Sequence, residues 1–408
     1  MRFVPLKTVA DIQLGKMLSP KAKTGSAPVP YLRNQDVQWG RIAVRDLARM
    51  DFSTREREKF ELRAGDLLVC EGGEPGRCAV WNGELVGCYY QKALHRVRPV
   101  QGVADSEYLS LWIRHMALTG AFQDQNAKTT IAHLPLVRFA QMPVPAVSVD
   151  EQKRLAARLK AQLAAVEEVR QVAQVQRTET VGLLSAFYRE CFSGIVPVAV
   201  TTEFESSPVG WRWTKLTDVA RLESGHTPSR SRPDWWGGDI SWMSLTEIRA
   251  LDGRWVDATQ IKTNPSGIAN SAARVLPRGT VCFSRTASVG FVAIMGQPMA
   301  TSQDFANWVC GDALDPEFLM HALIRSRTEL RALATGATHK TIYMPTLQSF
   351  HVCLPDRRTQ ERIVARLKGQ LASVELMQKA ASAQLEEIER LPSRLLAQAF
   401  DQKGEARP

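Results

Sequence analysis

Between residues 360 and 400 apolar side chains return at alternating steps of three and four: Ile363, Leu367, Leu371, Val374, Met377, Ala381, Leu385, Ile388, Leu391 and Leu395. Steps of that kind keep one side of an α-helix apolar while polar residues fill the rest, and the near-strict heptad spacing reads as a coiled-coil seam. A second stripe runs through Leu155, Leu159, Leu163, Val166, Val169, Ala173, Leu183 and Phe187, interrupted by Arg177 and Thr180. No proline breaks this one, whereas Pro392 should kink or end the other helix locally. Helices of this length reach about 60 Å, more than a globular core requires, so each needs a partner for its stripe.

The partner is written into the chain. QKRLAARLKAQLAAVE (152–167) and QERIVARLKGQLASVE (360–375) match at an offset of 208, which also carries Leu183 onto Leu391, Ser185 onto Ser393 and Phe192 onto Phe400. Two long helices of matching sequence read as an intramolecular antiparallel pair. Weaker matches join the regions ahead of them: PLKTVADIQLGK with KLTDVARLESGH, YLRNQDV with WMSLTEI, and GDLLVCEGGEPGRCAVW with GTVCFSRTASVGFVAI, which pairs Gly65 with Gly279 and Gly76 with Gly290. These stretches are short, β-branched and aromatic with Gly and Pro turns, so both regions read as mostly β, each with one clear helix at SEYLSLWIRHMAL or PEFLMHALIRSRTEL. The expected organisation is a first domain at 1–148, a long helix at 149–194, a linker at 195–210, a second domain at 211–356, a second long helix at 357–402 and a tail at 403–408. Antiparallel helices would make this a pseudo-twofold α+β protein with a domain at each end of a rigid spacer, a symmetry suited to two half-sites on duplex DNA.

Composition narrows the class. At 408 residues, with 44% hydrophobic and 23% charged positions, the chain reads as a multidomain globular protein. It has no apolar run of membrane-spanning length and no signal-peptide pattern, which points to the cytoplasm. The formal charge of +10 favours a polyanionic partner, although the excess is spread along the chain and is not gathered in a tail. Seven cysteines with no two-residue spacing read as reduced thiols, and no metal site is expected.

Catalytic constellations are missing from the pattern. Gly15-Lys16 lacks the rest of a phosphate-binding loop, EGGEPGR (71–77) reads as a hairpin turn, and Asn264-Pro265-Ser266-Gly267 fails the tetrapeptide that aminomethyltransferases use on a flipped base. The seven histidines have no helical metal spacing. A non-catalytic role is expected, with a self-contained DNA methyltransferase or nuclease of diverged active site as the alternative.

Polar and basic residues near glycine turns are the candidates for reading DNA, because base edges are distinguished by side-chain hydrogen bonds and phosphates are held by Lys and Arg. In the second domain these are Thr227, Ser229, Arg230 and Arg232, with Trp235, Trp236 and Trp242 as packing anchors. The first domain offers Lys16, Lys21 and Lys23, for which a solvated charge run is an equal reading. Both domains carry a short basic turn, with Lys128 and Thr129 in one and His339, Lys340 and Thr341 in the other; Arg77, Arg285, Gln91 and Gln303 follow.

These motifs together resemble the specificity subunit of type I restriction-modification systems over nearly the whole chain. The first domain is similar to one subtype of target-recognition domain in LGKMLS, YLRNQDV, GDLLVCEGG and GRCAVW, and the second to another in SGHTPSR, WWGGDISWM and GTVCFSRTASVG. Each precedes the family's helix start, Pro145 then Glu151-Gln152 and Pro355 then Thr359-Gln360, the second departing by its Thr. The resemblance implies two β-rich target-recognition domains separated by an antiparallel coiled coil, with helix-pairing positions at Leu155, Leu159, Leu163, Val166, Ile363, Leu367, Leu371 and Val374. It implies that each domain reads one half of a bipartite asymmetric target in double-stranded DNA, and that the helices set the spacer and dock two methyltransferase subunits. It leaves open whether two restriction subunits join. No cofactor is then expected in this chain; S-adenosylmethionine, ATP and Mg would belong to partner subunits.

Overall fold

Four helices organise the chain: α1 (Ser106–Leu118), α2 (Val149–Cys191), α3 (Pro316–Arg325) and α4 (Arg357–Phe400). In this computed structural model the described residues are 2–18, 27–122, 133–201, 206–336 and 339–401. The chain divides into two compact units, Met1–Gln174 with Ala383–Pro408, and Val175–Ser382. Each unit therefore holds one β-rich domain, the start of the long helix that follows it, and the end of the other long helix.

In unit 1 the central sheet has the order β2-β5-β3-β4, from β2 (Ala10–Leu14), β3 (Leu67–Cys70), β4 (Cys78–Val80) and β5 (Leu94–Pro99). All its pairings are antiparallel. The turn between β3 and β4 is EGGEPGR, so those residues are the hairpin their glycines suggest, closed by Gly76 N–H donating to the Cys70 carbonyl at 3.0 Å. Two further strands, β1 (Phe3–Pro5) and β6 (Pro143–Pro145), pair at the base of α2. The core beneath α1 gathers Leu67, Val69, Val97, Tyr108 and Trp112 with Leu155 and Leu159 from the start of α2 and Leu396, Ala399 and Phe400 from the end of α4. Farther along, Ala173 clusters with Leu385 and Ile388. As α2 advances its partners on α4 recede, so the two helices run antiparallel.

Unit 2 repeats the plan. Three short strands, β7 (Val198–Ala199), β8 (Arg212–Lys215) and β14 (His351–Leu354), pair at the base of α4, and the main sheet is built from β9 (Ala220–Ser224), β10 (Trp255–Val256), β11 (Val281–Ser284), β12 (Val292–Met295) and β13 (Phe305–Cys310). Its order is β9-β13-β11-β12-β10, the unit 1 order with one strand added. The paired glycines also agree in backbone: Gly65 and Gly279 have φ of 91° and 86°, Gly76 and Gly290 of 92° and 94°. Only glycine takes such angles without cost, which is why these positions match where little else does. The core under α3 includes Phe318 and Leu319, Cys191 and Phe192 from the end of α2, and Ile363, Val364 and Leu367 from the start of α4.

Three expectations change. The region 195–210 is not all linker, because Val198–Ala199 forms β7 and the Val198 N–H donates to Ser326 Oγ at 2.9 Å. Of the kink or end expected at Pro392, the end does not occur, since α4 continues to Phe400. The seam also departs from strict heptads: Val169, Leu183 and Met377 are exposed, whereas Thr180 is buried with its hydroxyl donating to the Gln176 carbonyl at 2.7 Å. An α-helix slips about 20° per heptad against a 3.5-residue repeat, so over four to five heptads burial moves on by one residue. It passes from Leu183 to the half-buried Leu184, and near the end of α4 it centres on Leu396 instead of Leu395.

Candidate nucleic-acid interface

Each domain is fastened to its long helix by the same buried amide. In unit 1 Gln152 Oε1 accepts from the Asp105 N–H at 2.9 Å, and Nε2 donates to the carbonyls of Val103 and Val147 at 3.0 Å. In unit 2 Gln360 Oε1 accepts from the Asp315 N–H at 2.8 Å, and Nε2 donates to Ala313 and Pro355 at 3.0 Å. Asp105 and Asp315 are the N-caps of α1 and α3, so one glutamine fixes the strand end, the cap and the long helix together. Lys160–Glu107 and Lys368–Glu317, both at 2.6 Å, repeat the tie about two turns further along each long helix. The bare sequence did not assign these roles, although the identity of Gln152 and Gln360 at the repeat offset was their signal.

The loop after β9 is anchored from behind. A Cβ on Gly225 would lie 2.1 Å from the Ser302 carbonyl, so only glycine fits this close approach. Trp242 Nε1 donates to the His226 carbonyl at 3.0 Å and Trp236 Nε1 to that of Ser229 at 3.1 Å, which makes these tryptophans loop anchors. Arg230 lies over Trp236 and Trp242, 4.3 and 5.2 Å from their ring centroids, and is exposed with no carboxylate partner among the described residues. Arg232 is occupied by Asp234 at 2.7 and 2.9 Å, an ion pair that holds the Asp234 carboxyl below its ordinary range, and stacks on Trp235. Ser229 shares a hydrogen bond with Ser231 at 2.8 Å.

From this loop a chain of contacts gathers several of the expected residues. Thr227 Oγ1 donates to Gln303 Oε1 at 2.6 Å; the Gln303 carbonyl accepts from Arg285 at 2.8 Å; and the Arg285 carbonyl accepts from the Ile342 N–H at 2.9 Å. Beside it the Lys340 carbonyl accepts from Ala287 N–H at 2.9 Å, and Thr341 bridges to Thr286 and Thr335. Thr227, Gln303, Arg285, Lys340, Thr341 and the neighbouring His339 thus share one surface of unit 2. Lys340 and Arg230 are its free cations among the described residues, whereas Arg285 braces the backbone.

Unit 1 places its candidates differently. Lys21, Lys23, Lys128 and Thr129 lie outside the described residues. Lys16 is turned inward: its ammonium donates to the Asp51 carbonyl at 2.6 Å and to Glu56 at 2.7 Å, over the Phe52 ring. Burial pushes the Glu56 carboxyl up, and its hydrogen bonds from Lys16 and Ser53 outweigh this and bring it below its usual value. Gln91 bridges to Lys16 in the backbone. Arg77 donates to Glu74 at 3.0 Å and to the Asn34 carbonyl at 2.9 Å, bracing the hairpin as Arg285 does in unit 2. Of the helix positions, Leu155, Leu159, Ile363, Leu367 and Val374 are buried and Leu163, Val166 and Leu371 half-buried.

Among the described residues no group of three or more His, Cys, Asp or Glu is disposed to hold a metal ion, and no helix is long and apolar enough to cross a membrane. None of the seven cysteines is joined in a disulfide among the described residues, and burial pushes the Cys78 thiol up to about 12.

Residues 208–387 match the family described as Type I restriction modification DNA specificity domain. The chain is similar to the type I restriction enzyme MjaIX specificity subunit of Methanocaldococcus jannaschii, 26% identical over 174 residues, 41% of this chain and 40% of that protein. It is also similar to the HindI specificity subunit of Haemophilus influenzae, 30% identical over 135 residues, 32% and 28% of the two. The matched segments thus span well under half of these relatives. Two solved structures share the fold across 98% of the chain at 20% identity: a chain from a type I R-M system assembly, with a TM-score of 0.74 over 97% of that chain, and the HsdS subunit from Thermoanaerobacter tengcongensis, with 0.64 over 96%. With its twice-built domain and its antiparallel helix pair, the chain shares the fold of these two structures throughout, and residues 208–387 carry the type I restriction modification DNA specificity domain.

Proposed function

We propose that this chain is the sequence-specific DNA-binding subunit of a type I restriction-modification complex. Each domain reads one half of a bipartite, asymmetric target, the helix pair sets the unread spacer, and two methyltransferase subunits dock on the helices. Chemistry resides in those partners, which hold S-adenosylmethionine and, where restriction subunits join, ATP and Mg.

The observation that carries this reading is one scaffold built twice with unlike surfaces. Strand order, glycine angles and the Gln–Asp clip repeat between units, while the SGHTPSR loop of unit 2 and the inward-turned Lys16 of unit 1 share no side-chain pattern. Equal frames with unequal faces suit a target whose two halves differ.

Mapping methylated bases in a strain that carries the chain with its methyltransferase tests this. A split motif is expected, and replacing residues 1–148 by the domain of another subunit should change one half and leave the other. A continuous motif, or a change in both halves, overturns the proposal.

A further inference from the structure

In unit 1 a cavity of about 270 Å³ opens beside α1 and the start of α2, lined in part by Trp39, Asn82, Leu111, Arg114, Lys160 and Leu163. Arg114 is half-buried, with its guanidinium 5.7 Å from the centroid of the Trp39 ring. Among the described residues it makes no hydrogen bond and no ion pair. The nearby carboxylate of Glu107 is already taken by Lys160 at 2.6 Å, so the charge of Arg114 is left over. Burial lowers the affinity of this guanidinium for its proton, as expected of a cation without a counter-ion.

A half-buried, unpaired arginine costs stability unless something occupies the site. The cavity walls select the occupant. The wall is mixed: Trp39, Leu111 and Leu163 offer apolar contact that suits a methylene group, Asn82 and Ser110 add polar edges, and Arg114 offers a planar fork that suits a carboxylate. A DNA phosphate, carried on a hydrated polyanionic strand, has no apolar stem to fill such walls. The repeat gives a second indication, because the position equivalent to Arg114 in unit 2 is Ile324, packed on its own core. The arginine is therefore not a requirement of the scaffold.

We infer that this cavity seats an aspartate or glutamate side chain of the protein partner that docks along α2. The inference rests on the docking part of the proposed function and adds that unit 1 holds its partner by a charged anchor absent from unit 2.

Affinity of the full chain for its methyltransferase subunit, measured by calorimetry, tests it. Arg114→Gln should weaken binding by about tenfold or more, and Arg114→Lys by less. Asn82→Glu, which puts the chain's own carboxylate at the cavity, should also weaken it while the thermal midpoint stays at or above the wild-type value. A wild-type chain that binds no methyltransferase overturns the docking reading and this one with it. Wild-type binding with unchanged affinity in Arg114→Gln and Asn82→Glu overturns the cavity assignment alone. Loss of DNA affinity in place of partner affinity would make the cavity a phosphate site and equally overturn it.

Discussion

Gln152 shows how one residue can be both a sequence signal and a structural joint. Its amide satisfies a cap N–H and two carbonyls that show no other partner among the described residues, so Gln152→Leu leaves three part-buried polar groups unpaired. Each costs about 1–3 kcal/mol, and partial relaxation should leave a net loss of a few kcal/mol in unit 1, measured as a lowered midpoint in denaturant. His321 gives a pH prediction. Burial pushes its pKa down to about 4 from 6.5, with Nδ1 hydrogen-bonded to the Tyr188 hydroxyl at 3.0 Å. The unfolded state then binds the extra proton between those values, so stability is full above pH 6.5 and is lost as pH falls toward 4, by up to about 3 kcal/mol. Thermal melts of His321→Gln should lack that loss over the same window.

At the scale of elements, the ends of the long helices matter more than their middles. Phe192 closes α2 but packs on Phe318 and Trp211 of unit 2, at centroid distances of 5.5 and 6.4 Å. Phe400 closes α4 but packs on Trp112 and Tyr108 of unit 1, at 5.1 and 5.8 Å. Each ring should be worth about 3–5 kcal/mol to the unit it enters. Phe400→Ala is expected to loosen the domain at the N-terminal end of the sequence and Phe192→Ala the other, read by hydrogen exchange of β2–β5 against β9–β13. The same burial explains why Pro392 does not stop α4: the proline forfeits one helical hydrogen bond, and Leu396, Ala399 and Phe400 hold the following turns in place. In the small sheets, β14 takes β7 along its edge, with the Cys353 N–H donating to Pro197 at 2.8 Å. The equivalent β6 has prolines at 143 and 145, which lack that donor.

Over the whole molecule, the formal charge of +10 overstates the cations available to a polyanion. Lys16, Arg77 and Arg285 are used inside the fold, whereas Arg230 and Lys340 stand exposed without carboxylate partners among the described residues. If the last two meet phosphate, Arg230→Ala and Lys340→Ala should each make the fall of log affinity with log salt shallower by about 0.9. Arg77→Ala should leave that slope unchanged and lower the melting temperature. Fluorescence anisotropy of labelled target DNA over a salt series reads the first effect, and calorimetric melting the second.

The duplication, the two long helices, the β-rich character of both domains and the glycine turns were legible in the sequence, because periodicity and backbone angle are local properties written residue by residue. The candidate interface was legible only by residue type. Whether a lysine faces solvent or a glutamate depends on which strands become neighbours, and the chain does not write that locally: Lys16 meets Glu56 forty positions away, and Thr227 meets Gln303 seventy-six away. Tertiary structure alone decided that each long helix ends in the core of the opposite half, because burying Phe192 and Phe400 requires a pocket that only the other domain supplies.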